Sequence, residues 1–268
     1  MVFAGQGDPR RSMTLLWRTP DSVATARTAP GPRPGLSVDV ILDAAIAIAD
    51  EHGMAGLSMR AVGERLGRTA MALYTYVPNK AELLDLMYDR IHAELATDHP
   101  TDGGWRAGLT AWAEDLWGFY LRHPWVLQVS QARPVLGPHE YAMLETVAGI
   151  MHGTGLPANA RRRIISALFQ FIRGTAQTVA EARQAASATG LSDEEWWYAR
   201  SALLTEVAPD FAERFPMVSS METEGAFQLD DETRPYLEQE AWETFRSGLT
   251  VLLDGIEAAR RATPTDQR

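Results

Sequence analysis

The chain contains no cysteine. Disulfides, thiolate metal sites and cysteine nucleophiles are therefore excluded, and a reducing compartment fits. Lysine is almost absent as well: Lys80 is the only one, against 24 arginines, a bias read as a GC-rich coding sequence rather than binding chemistry. No apolar run reaches the roughly 18 residues that cross a bilayer, so no membrane partner is expected. Arg10–Arg11 suggests an export signal, but Arg18, Pro20 and Asp21 break the apolar stretch Met13–Trp17 that follows. A cytoplasmic location is expected instead. Enzyme signals are also missing. "HGTGLP" lacks the third glycine and the preceding strand of a dinucleotide site. "DDETR" at Asp230 is too short and isolated for a carboxylate metal cluster, and no two of the six histidines stand at i, i+4. No catalytic residue, metal or cofactor is expected.

What is present is an ordinary globular composition, 46% apolar and 22% charged, on 268 residues that are enough for one large or two modest domains. The net charge of −10 argues against a nucleic-acid partner until its distribution is read. Residues 1–36 and residues 58–80 each carry +3, which leaves −16 on the rest. Two basic islands on an acidic body would orient the molecule on DNA and hold the body away from phosphates.

The pattern divides the chain into an arm (1–36), a compact helical unit (37–96), a longer helical body (97–261) and a tail (262–268). The arm ends in "TAPGPRPG", whose prolines disfavour both helix and central strand, and it reads as flexible. Three readings of it stand side by side: Arg18, Arg27 and Arg33 enter a minor groove, the arm is a solvated tail, or Trp17 packs on the body. No convincing β alternation occurs anywhere, so the fold class is all-α.

The unit 37–96 parses residue by residue. Ser37 caps a helix with the apolar stripe Ile41, Ala44, Ala45, Ile48 and Ala49, ending near Gly53. Ser58 caps a short second helix, and Gly67 supplies the sharp turn after it. Thr69 caps a third helix, "AMALYTY", which Pro78 stops. Asn79 and Glu82 form an N-x-x-E capping-box pattern that opens a fourth. Two short helices on a tight turn are the geometry that places the second in a major groove. Small or amphipathic Ala70, Met71, Ala72, Thr75 and Tyr76 permit close approach to DNA, while Leu73 and Val77 face inward. Arg60 and Lys80 flank the helix, and Lys80 at a helix N-terminus makes an anion site. Read as spacing alone, the same geometry also suits a scaffold with Tyr74 or Tyr76 in its core.

At these residues the sequence resembles the TetR family of bacterial transcriptional regulators. The resemblance rests on "GLSMRAVGERLG" followed by "LYTYVPNKAELL", and on "PDFAERFPMV" and "FRSGLTVLLDGIEAARR", which are similar to the tetracycline-repressor-like C-terminal subgroup. It implies an N-terminal helix-turn-helix DNA-binding domain followed by a larger helical domain for ligand binding and dimerisation. It further implies an Ω-shaped homodimer joined by a four-helix bundle, double-stranded operator DNA as partner, and a small-molecule inducer. Carried over by position, the DNA contacts are Arg60, Thr69, Ala70, Met71, Ala72, Tyr74, Thr75, Tyr76 and Lys80. Arg60 and Lys80 go to phosphates, Arg60 with a base contact as a further option, and Tyr74 and Tyr76 donate to phosphate. Ala70, Met71, Ala72 and Thr75 face base edges, where apolar side chains favour thymine methyls. The segment matching the tetracycline repressor's magnesium-binding histidine, "LQVSQARP", has no histidine, so neither that drug nor a metal is implied.

In the body, Trp105, Leu109, Trp112, Leu116 and Phe119 share one helical face. Singly they read as core. Together with Trp117 they read as the wall of a site for a large, flat, largely apolar ligand. The candidate ligand set is Trp112, Leu116, Trp117, Gln128, Gln131, Arg133, Gln170 and Gln177, with Arg133 equally suited to an interface ion pair. Residues 159–188 and 234–261 are the expected dimer helices, and the run Arg161–Arg163 is read as a solvated or rim face. Residues 217–233 are expected to form a mobile loop. The expected function is a ligand-responsive repressor. The alternative is an all-α small-molecule-binding protein or enzyme that keeps the helix-turn-helix as scaffold.

Overall fold

The computed structural model describes residues 2–18, 35–100, 102–228 and 235–262. The chain divides into two compact units, residues 1–169 with 259–268, and residues 170–258.

The first unit begins with a strand and a helix where the sequence suggested a flexible arm. Strand β1 (Val2–Phe3) pairs in parallel with β2 (Val129–Ser130), with Val2 opposite Val129 and Phe3 opposite Ser130. Asp8 then caps helix α1 (Pro9–Leu16) by accepting the Arg11 amide, with proline at the first helical position, where its missing N–H costs nothing. The Trp17 indole donates to the Leu136 carbonyl at 2.9 Å, and its ring lies 6.2 Å from that of Tyr141. Arg18 reaches Asp39 at 2.6 Å. Of the three readings of the arm, packing of Trp17 is the one seen. Arg27 and Arg33 lie outside the described residues. Apart from this two-residue ladder the described fold is all-α.

The next four helices follow the local signals closely. Ser37 accepts the Val40 amide to start α2 (Val38–Gly56), and Gly53, at φ 64°, puts a kink where the sequence placed the helix end. Ser58 caps α3 (Met59–Arg65) and Thr69 caps α4 (Ala70–Tyr74). Leu73 and Val77 are fully buried, as the i, i+4 spacing requires. Asn79 caps α5 (Lys80–His92), accepting the Ala81 and Glu82 amides at 2.8 and 3.0 Å. The expected capping box is only half made. Buried Glu82 turns away and accepts the Asp8 amide at 3.3 Å.

One face of α5 carries three buried carboxylates, Glu82, Asp85 and Asp89, and each holds the backbone of another element. Asp85 accepts the Gly5 amide at 2.7 Å. Asp89 accepts the His139 and Glu140 amides at 2.9 and 3.0 Å and so caps helix α7 (Pro138–His152). Burial pushes the Asp85 carboxyl above its ordinary pKa despite the hydrogen bond from the Gly5 amide, and the Glu82 charge adds to the rise. A raised folded-state pKa means that this group's contribution is full at low pH and is lost as pH rises through that pKa. Asp85→Asn keeps the acceptor and removes the charge. It should therefore match or exceed the wild-type melting temperature at neutral pH, with no advantage in acid. Asp85→Ala should cost about 1–3 kcal/mol throughout. Thermal unfolding between about pH 4 and 8 measures both; equal losses in the two variants at neutral pH would contradict the account.

Helix α6 (Gly104–Arg122) buries Leu109, Trp112, Leu116 and Phe119 on one face and passes through a 3-10 turn (Pro124–Gln128) into β2. Helix α8 (Ala158–Thr189) runs from the first unit into the second. There it is followed by α9 (Asp193–Val207), α10 (Phe211–Arg214), α11 (Pro216–Thr223) and α12 (Tyr236–Ala262). A complete capping box, Ser192 with Glu195, starts α9. Within the second unit Arg183 makes two bonds to Glu238, at 2.7 and 2.8 Å, and Phe171 stacks on Phe245 at 6.1 Å. Residues 217–223 are helical rather than part of the expected loop. No helix among the described residues is long and apolar enough to cross a membrane.

Candidate nucleic-acid interface and ligand-binding body

Glycine shapes the reading head at two positions. Gly67 takes φ 62°, which an L side chain rarely adopts, and so turns the chain between α3 and α4. Buried Gly63 acts by close approach: a Cβ there would lie 2.7 Å from the Arg68 carbonyl oxygen and 3.2 Å from the Ala70 nitrogen. The Arg68 amide also donates to the Gly63 carbonyl at 2.8 Å. Thus α4 rests directly on the backbone of α3 and is only one and a half turns long.

The nine expected DNA contacts fall into an outer and an inner group. Thr69, Met71, Tyr74, Thr75, Arg60 and Lys80 are exposed, Met71 at 74%. Ala70, Ala72 and Tyr76 are half-buried beside them. Two of the three arginines counted in this basic island are tied to carboxylates: Arg60 to Glu64 at 2.7 Å, and Arg65 to both Glu51 oxygens at 2.6 and 2.7 Å. Lys80 donates to the Leu57 carbonyl at 2.7 Å. An ammonium has three donors, so this bond fixes the head group beside the start of α5 with two protons left for an anion.

The expected ligand residues are divided between the two units. Trp112 and Leu116 are buried, Trp112 meeting Phe169 edge-on at 5.2 Å. Trp117 and Gln128 are half-buried. Gln131 and Arg133 are exposed on the segment after β2, and Gln170 and Gln177 are exposed in the second unit, Gln177 donating to Glu181 at 2.6 Å. Arg161 meets His152 at 2.9 Å, while Arg162 and Arg163 are exposed.

Two histidines carry roles that the sequence does not announce. His92, fully buried, has its pKa pushed down to about 4 by burial, and its Nδ1 lies 2.6 Å from the Tyr88 carbonyl. It is therefore neutral, with Nδ1 as donor. His123 lies between Asp50 and Glu94, at 2.9 Å from each. Their isolation in sequence gives no signal, because the partners of His123 come from other helices.

A capped three-helix head with a glycine turn, followed by a helical body, defines a helix-turn-helix DNA-binding regulator. The comparisons agree. Residues 41–87 match the profile described as bacterial regulatory proteins, tetR family, and residues 97–260 match the tetracyclin repressor-like C-terminal domain. The chain is 38% identical over 257 residues to the HTH-type transcriptional repressor DrrR1 of Streptomyces coeruleorubidus, covering 95% of this chain and 87% of that protein. Among solved structures it is similar to a TetR transcriptional regulator of Streptomyces coelicolor (TM-score 0.61, 26% identity, 83% of this chain and 98% of that one). It also resembles ActR of Streptomyces coelicolor in complex with actinorhodin (TM-score 0.64, 21% identity, 85% and 98%). The chain belongs to the TetR family and is a DNA-binding transcriptional regulator.

Proposed function

We propose that α4 enters the major groove of an operator duplex as one of a pair, and that a large, flat, largely apolar molecule bound in the helical body releases it. The observation that carries the first half is the exposed row Thr69, Met71, Tyr74 and Thr75 on a helix pressed against Gly63, with Lys80 held beside it. Thr69 and Tyr74 supply hydroxyls to phosphate, while Met71 and Thr75 meet base edges. The ligand half is supported by the buried Trp112, Leu116 and Phe119 on α6 and by the small-molecule complex of ActR.

The dimer is read from α8 and α12, which leave Gly174, Thr178, Val251, Gly255 and Ala258 exposed, Val251 at 69%. In the same unit Trp197, Tyr198, Val207 and Met217 are 62–74% exposed. Two-fold pairing sets the recognition helices about 34–36 Å apart, one turn of DNA, and any ligand that changes this span weakens binding. The coupling is reciprocal, so DNA must weaken the ligand equally.

The test is a mobility shift with the protein's own upstream region and with duplexes selected by the protein from a random pool. Binding as a dimer at low salt is expected. Lys80→Ala should weaken all duplexes alike and lower the log–log salt slope by about 0.9 for each phosphate that the variant no longer neutralises. No binding to any duplex at low salt, or a protein that stays monomeric on DNA, would remove the proposal.

A further inference from the structure

The DNA-reading head and the front of the body share one compact unit, and their polar junction centres on a single imidazole. His123 sits where α6 passes into the 3-10 turn. Its Nδ1 lies 2.9 Å from Asp50 Oδ1 on α2, and its Nε2 lies 2.9 Å from Glu94 Oε2, just past the end of α5. The same Asp50 oxygen accepts the Trp125 indole at 2.8 Å. Both carboxylates therefore belong to the head side, and both of their donors flank Pro124.

A carboxylate can only accept, and an imidazole donates from both nitrogens only when protonated. The pair of contacts thus calls for an imidazolium. Burial of the ring lowers its pKa, but the hydrogen bonds and charges of Asp50 and Glu94 outweigh burial and raise it above the ordinary value. His92 of α5, which interacts with His123, stays neutral and does not oppose the charge. Phe119, one turn back on α6, packs its ring 5.4 Å from His123 and 5.2 Å from His92. It also belongs to the buried face of Trp112 and Leu116, so a ligand that displaced this face would move His123 with it.

We propose that His123 is the positioning residue through which α6 holds the angle of the DNA-reading head, by gripping Asp50 and Glu94 together. This rests on the reading that movements of the body release DNA. With this grip closed, the head is set for the operator. Loss of the ring's charge leaves one carboxylate without its donor, as does displacement of α6.

With a raised folded pKa, the stabilisation is full below about pH 6.5 and is lost as pH rises through the folded value. The test compares wild type with His123→Gln and Glu94→Gln in the full chain, by thermal unfolding and by fluorescence anisotropy on a duplex selected by the wild-type protein. The melting advantage of wild type over His123→Gln should be largest below about pH 6.5 and shrink above it. Wild-type operator affinity should fall roughly three- to tenfold between about pH 6 and 9, a trend that His123→Gln flattens. Glu94→Gln removes one charge and should move the midpoint of that fall to lower pH, a shift that a purely structural role would not give. Parallel affinity profiles in all three proteins, or His123 titrating below about 6.5 by NMR, would overturn the proposal. Should wild type bind no duplex at all, the regulatory reading falls and takes the proposal with it. That case is distinguished because wild type itself is then silent on DNA while the melting comparison still reads.

Discussion

Gly63→Val should abolish operator binding, weakening it by a hundredfold or more, while the helical body keeps its fold. The reason is backbone proximity. The first carbon of any side chain at this position would sit 2.7 Å from the Arg68 carbonyl oxygen, and neither α3 nor the start of α4 has a flexible group that can yield. Forcing such overpacking costs typically about 1–3 kcal/mol, and β-branching adds to it. The cost falls on the seat of α4, so the helix tilts or detaches, and in the proposed pair both halves would leave the groove at once. Anisotropy on a selected duplex reads the loss. Circular dichroism and a retained body transition show that the rest survives. Binding within threefold of wild type would mean that α4 is not the reading element. Gly67→Ala should do less, because nothing stands within 4 Å of its missing side chain and only the left-handed conformation is penalised, by about 1–2 kcal/mol.

Deleting residues 1–17 should lower the melting temperature by roughly 10 °C, a result that a flexible tail would never give. This segment buries Ala4 and Leu16, pairs β1 with β2 and ties Trp17 to Leu136. Its removal also strips the Gly5 amide from Asp85 and the Asp8 amide from Glu82, leaving two buried carboxyls short of donors. Each buried group left unsatisfied costs about 1–3 kcal/mol. With the forfeited apolar burial the total reaches several kcal/mol, and at this chain length each one moves the transition by about 2–4 °C. Differential scanning calorimetry decides it. An unchanged transition would show that the segment is ornamental in solution.

These two results bear on how far local sequence reaches. Ser37, Ser58, Thr69, Asn79 and the Ser192–Glu195 box are legible because a cap bonds an amide two or three residues away. Gly67 is legible because its turn is a property of its own φ. Leu73 and Val77 follow from helical period alone. Gly63 is not, since nothing nearby in the sequence announces that another helix will touch its backbone. Residues 2–18 read as a flexible arm for the same reason: their partners are Asp85, Val129 and Leu136.

By itself, then, the order of residues determined that this protein is helical, where most of its helices begin and which family it joins. These are short-range matters, settled by torsion angles and by hydrogen bonds that span a turn. Only the tertiary structure decided that the N-terminus is a brace, that three acids on α5 hold other segments, and that His123 joins head to body. Those pairings link residues tens of positions apart, and burial, which alone gives them their strength, exists only once the chain has closed around them.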